Sequence, residues 1–102
     1  MIKVMALMKR REDMSFEDFR KWILDDHVAF ARNLPGLKKY TSNVLLSENP
    51  DAPFDGVSEM YFEDEAAMAA AFATDAGKAA GGDAAGHCSH RFRMVCQEKP
   101  QF

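Results

Sequence analysis

The sequence predicts an α+β sandwich of element order β-α-β-β-α-β, a four-stranded sheet with helices on one face. Three observations predict it. Short stretches with apolar residues at every second position alternate with stretches at helical spacing; a Pro-Gly pair joins the first helix directly to a strand; and 102 residues hold a single domain, residues 1–102. This order is the split βαβ arrangement, in which one side of the sheet carries both helices and the other carries none.

Residues 2–9 read as the first strand. Ile2, Val4, Ala6 and Met8 share one face, yet Met5 and Leu7 make the opposite face apolar as well. Both faces therefore need cover. The run Lys9-Arg10-Arg11 is followed at once by Glu12-Asp13 and reads as a solvated loop. Ser15 can then cap a helix, with Asp18 placed to reach back and Met14 and Phe19 spaced as a hydrophobic staple. At about 100° per residue, Phe16, Phe19, Ile23, Phe30 and Leu34 form a stripe, and His27 falls in its middle. Trp22 lies on another side and reads as packing or a dimer contact. Asn33-Leu34-Pro35-Gly36 ends the helix, because proline disfavours helical geometry in the residue before it and glycine accepts the turn.

Strand two is expected over residues 37–46, with Tyr40, Val44 and Leu46 on the drier side, and residues 47–55 are turn chemistry. Strand three follows at residues 56–62, with Val57, Glu59 and Tyr61 opposite Ser58, Met60 and Phe62. Asp64 caps a helix that runs to Ala73 and buries Met68 and Phe72. Thr74 caps a shorter piece that Gly81-Gly82 is expected to interrupt or end. So much alanine suggests close packing or an adaptable wall beside a cavity; the plainer reading is a weakly packed helix. Residues 89–98 form strand four, with Phe92, Met94 and Cys96 facing one way and Arg91, Arg93 and Gln97 the other. Since strands one, three and four are apolar on both sides, the uncovered side is expected to meet a second copy in a homodimer.

Composition narrows the function. Hydrophobic residues make up 47% and charged residues 28%, which are globular proportions. A net charge of −3 without a clustered basic face argues against nucleic acid as a partner. The apolar run from Val4 to Met8 is too short for a signal-peptide core or a membrane span, so a cytoplasmic protein with no membrane partner is expected. Cys88 and Cys96 read as free thiols of a reducing compartment.

His27 is the first candidate for chemistry, because a polar ring on an apolar stripe needs a partner and its ordinary pKa near 6.5 allows proton exchange near neutrality. Tyr40 starts the facing strand and can supply that partner or hold a substrate oxygen. The plainer alternative is a buried histidine bonded to a carbonyl or to that phenol. Glu59 can serve as a base only if it faces the helices, and Arg20, near the histidine stripe, can bind an acidic substrate. His87, Cys88, His90 and Cys96 lack metal-ligand spacing, so no metal is expected. No glycine-rich turn links a strand to a helix, which removes the dinucleotide fingerprint.

The run His27, Ala31, Leu34-Pro35-Gly36-Leu37 and Tyr40, preceded by Phe19 and Trp22, resembles the EthD family, named for ethyl tert-butyl ether degradation. Thr74-Asp75-Ala76-Gly77 followed by Asp83 is similar to that family's second-helix pattern. The resemblance implies a ferredoxin-like domain that pairs into a homodimeric α+β barrel, and a small organic ligand is expected in a largely apolar cleft between the sheet and helix one. Within the group the chain is also similar to methylmuconolactone methylisomerases, which implies a cofactor-free isomerase or lyase with His27 and Tyr40 as catalytic residues. Phe19, Arg20, Phe30 and Met60 are the expected substrate-binding residues. Two departures stand out. Met60 occupies the place of a strand-three cysteine, and residues 47–55 carry no histidine. The competing expectation is a non-catalytic subunit that holds a small hydrophobic molecule for a degradation pathway.

Overall fold

The computed structural model describes residues 1–102. Strands β1 (Ile2–Arg10), β2 (Lys39–Val44), β3 (Gly56–Phe62) and β4 (Cys88–Cys96) form one sheet in the order β2-β3-β1-β4. Every neighbouring pair is antiparallel, so β1 and β2 run parallel with β3 between them, as the split βαβ order requires. The fold is ferredoxin-like.

The first helical stretch starts where its cap puts it. Ser15 Oγ accepts the amide of Asp18 at 3.1 Å, and α1 runs Phe16–Lys21. The stretch then widens into a π-helical turn, Trp22–Asp26, in which the His27 amide bonds to the Trp22 carbonyl at 2.8 Å, before α2 closes it at Val28–Ala31. Five residues per hydrogen-bonded turn bring Trp22 onto the face of His27, with ring centroids 4.7 Å apart. Uniform helical spacing had set Trp22 on another side. Gly36 takes the one positive φ, 77°, and returns the chain to β2.

Asp64 caps α3 (Glu65–Ala73) by accepting the Ala67 amide at 2.8 Å, and Thr74 caps α4 (Asp75–His87) through the Gly77 amide at 3.0 Å. The α4 helix passes through Gly81-Gly82 without a break. Each glycine costs about 1 kcal/mol against alanine, and the tertiary bonds of Asp83 one residue later offset that cost. Leu46 is a second departure: it lies beyond β2 and is fully exposed.

Register sorts the side chains into rows. On the helix-covered face the rows across the sheet are Tyr40–Met60–Val4–Val95, Ser42–Ser58–Ala6–Arg93 and Val44–Gly56–Met8–Arg91. The middle row is made of small residues up to its arginine end. The core is divided accordingly. One buried cluster gathers Val4, Leu34, Met60, Phe62 and Ala71, and another Met8, Phe19, Trp22, Ile23 and Ala84. Each large side chain buried there contributes about 1.5–3 kcal/mol. Between the clusters the floor is low.

Candidate functional site

That low floor holds a cavity of about 690 Å³ between the sheet and the helices. Ala6 and Ser58 lie beneath it, and Ala31, Ala80, Gly81 and Ala84 border it from the helices. Short side chains above and below leave the space open, so the alanine-rich segment forms part of its wall. The apolar lining is interrupted by His27, Tyr40, Ser58, Ser89, His90 and the arginines of β4.

His27 is 7% exposed, and its Nδ1 lies 2.7 Å from Asp83 Oδ2. A carboxylate accepts, so Nδ1–H donates and the neutral ring keeps its lone pair on Nε2. The same oxygen accepts the Trp22 indole N–H at 2.9 Å. His87, one helical turn beyond Asp83, stacks on Trp22 with centroids 4.6 Å apart and uses its Nδ1 on the Asp83 carbonyl at 2.7 Å. The His27 ring thus rests on a carboxylate that is itself held by an indole. Such an arrangement fixes a tautomer and stabilises the imidazolium when it forms.

Tyr40 does not bond to His27. Its hydroxyl donates to Ser58 Oγ at 3.1 Å. Burial pushes the phenol above its ordinary range, and hydrogen bonding with Ser58 and Ser42 only partly offsets this. At neutral pH it is a donor rather than a phenolate.

The cavity brings together His27, Tyr40 and Met60 from the expected set. Three others stand apart. Phe19 is wholly buried in the second core cluster, with no surface for a ligand. Phe30 lies behind His27, its ring 6.1 Å away, and does not border the cavity. Arg20 borders a separate shallow depression beside Ser15, Glu17 and Glu48, because α1 turns it outward before the π turn. Glu59 faces the uncovered side, where Lys3 pairs with it at 2.7 Å, so it is no base for this cavity.

Asp83 is the residue that sequence reasoning did not place in the site. A signal existed: it is the only carboxylate between Asp75 and Glu98, in a segment otherwise rich in alanine and glycine. No group of three or more His, Cys, Asp or Glu side chains converges as a metal site would. No helix is long and apolar enough to cross a membrane.

Comparison with known proteins agrees with this architecture. A crystal structure of an ethyl tert-butyl ether d (EthD) family protein from Bacillus halodurans C-125 superposes with a TM-score of 0.80 at 28% identity, covering 97% of this chain and 99% of that one. A dimeric ferredoxin-like protein of unknown function from Thermobifida fusca YX gives 0.75 at 17% identity, covering 93% and 88%. SnoaB, a cofactor-independent oxygenase from Streptomyces nogalater, gives 0.68 at 12% identity, covering 98% and 94%. At the two lower identities the likeness is one of fold. No curated protein matches the sequence. The EthD domain profile matches residues 11–88, and the chain belongs to the EthD family.

Proposed function

We propose that this protein is a cofactor-independent proton-transfer enzyme acting on a small cyclic metabolite. The observation that carries the reading is the 2.7 Å contact between His27 Nδ1 and Asp83 on the wall of the cavity. In this reading Tyr40 donates its hydroxyl to a substrate carbonyl oxygen, which acidifies the adjacent C–H. His27 Nε2 takes that proton, Asp83 stabilises the resulting imidazolium, and His27 returns the proton to another carbon of the conjugated system. The double bond moves, nothing is oxidised, and the enzyme ends in its starting state. Met60 packs against the substrate and takes no part in proton transfer, so the cysteine step expected of a methylmuconolactone methylisomerase has no agent on β3.

The test uses unsaturated five-membered lactones and cyclic enones in D2O. The wild type is expected to incorporate deuterium beside the carbonyl, and His27→Ala to lose that exchange by about 10²–10⁴-fold. A protein that binds these rings and returns them unlabelled is a binding subunit, not an enzyme.

The assembly belongs to the same proposal. On the uncovered face Met5, Leu7, Val57, Phe92 and Met94 lie side by side, with Phe92 56% and Met94 42% exposed in the single chain. Lys3 bridges Glu59 and Glu98 at its rim. An apolar centre with a charged edge fits the same face of a second copy, which would bring two sheets together as a barrel.

A further inference from the structure

We propose that the cavity takes an organic anion, a carboxylate on an apolar ring or chain, and that Arg91 and Arg93 of β4 receive its charge. The proposal rests on the functional reading above for the location of the site, and on charge for the rest. In a protein with 16 acidic and 13 basic residues, the cavity lining holds both arginines and no aspartate or glutamate. Asp83 stands behind His27 and spends its carboxylate on His27 and Trp22.

The two arginines are where an incoming anion would meet them. Arg91 lies across from Met8 and Arg93 across from Ala6, so both point to the helix-covered face of an edge strand. Arg91 Nη1 donates to the Gly81 carbonyl at 3.3 Å, and the Arg93 guanidinium sits over the Phe72 ring at 4.3 Å. Each therefore spans from the sheet to a helix at the exposed edge of the cavity. Neither forms an ion pair, whereas Lys3, Lys9 and Arg10 of β1 each have a carboxylate partner. A guanidinium has five N–H donors; Arg91 uses one, and Arg93 makes no hydrogen bond through its side chain. The unspent donors match a carboxylate, which accepts two parallel bonds from such a fork.

An anion held there leaves its apolar body over Ala6 and Phe72, towards Tyr40 and His27. The role given to Arg20 by helical spacing thus passes to residues on the last strand. Alternation in β4 had put Arg91 and Arg93 on one face but could not say that the face was covered by helices at a distance.

The experiment compares 1-naphthoate with its neutral counterpart 1-naphthamide by isothermal titration, at low and high salt. The wild type is expected to bind the carboxylate tighter by about tenfold or more, with added salt eroding only that preference. Arg91→Gln with Arg93→Gln is expected to bind both probes equally, with amide binding unchanged, which shows that the cavity is intact. His27→Ala is expected to keep the preference, so failure of proton transfer and failure of anion recognition are separately visible. Carboxylate binding no tighter than the amide's, no binding of either, or a preference that survives in the double variant overturns the proposal.

Discussion

On the helix-covered face of the sheet Ala6 lies between Ser58 and Arg93, at the floor of a cavity; one residue on, Leu7 lies between Val57 and Phe92, on a face with no helix over it. The same strand builds both. On the covered face His27 is matched to Asp83 and Tyr40 to Ser58, while Arg91 and Arg93 at its edge have no carboxylate partner. On the other face they stand at the rim, Lys3 between Glu59 and Glu98, around side chains that water only partly wets. Small residues keep space open on the covered face, and methionine, leucine and phenylalanine fill the other.

Substitutions at these neighbouring positions should separate the two faces. Leu7→Glu places an unpaired carboxylate in the proposed dimer contact, a cost of several kcal/mol, and should raise the dimer dissociation constant by about three decades. Sedimentation velocity reads the result, and a variant that sediments as the wild type does would remove this face as the interface. Ala6→Leu points the other way. It should fill the trough, weaken 1-naphthoate by about tenfold or more, and leave the assembly unchanged, since added methylenes enter an open space rather than a packed one.

Within the covered face, Asp83→Asn tests whether the pair or the ring alone matters. An amide in that place can donate to Nδ1 and so favour the wrong tautomer, with the proton on Nε2. Deuterium exchange should fall by about 10²-fold or more, and ¹⁵N-edited spectra of the imidazole should show the proton moved. Asp83→Ala should add a stability loss of about 1–3 kcal/mol, because the Trp22 indole N–H loses its acceptor. Unchanged exchange in Asp83→Asn would leave His27 acting without it.

How much of this could be read from the residues depended on range. Caps and breaks are local, so Ser15, Asp64, Thr74 and the Pro35-Gly36 turn stand where their chemistry puts them. Alternation is local too, and β3 occupies Gly56–Phe62 with Ser58, Met60 and Phe62 on one face, as its pattern predicts, although only the fold decides that this face lies inward. The π turn was not legible. It is stabilised by what Trp22 and His27 meet on α4, not by any preference of the segment itself. The same holds for Gly81-Gly82, where weak propensity was outweighed by Asp83. The pairing of His27 with Asp83 spans 56 positions, and only the fold brings them together.

The smallest effect concerns Cys88, where strand β4 enters the cavity wall beside the Met8 cluster. Burial pushes its thiol up from 9.0 to about 12, with Arg91 pulling the other way. The thiolate needed for alkylation is therefore scarce, and iodoacetamide at pH 8 should modify Cys88 in the folded chain two to three orders of magnitude more slowly than in the unfolded one. The same burial has a thermodynamic sign. A folded pKa above the unfolded one means that the unfolded chain loses its proton first, so the contribution is whole below about pH 9 and drains away as pH rises towards 12. Cys88→Ala should flatten that part of the stability profile relative to wild type, while the loss due to the Tyr40 phenol, raised in the same direction, persists in both. Equal slopes for the two proteins between pH 9 and 12 would mean that the thiol meets water in the folded state, and that this end of the cavity wall is looser than its packing against Met8 implies.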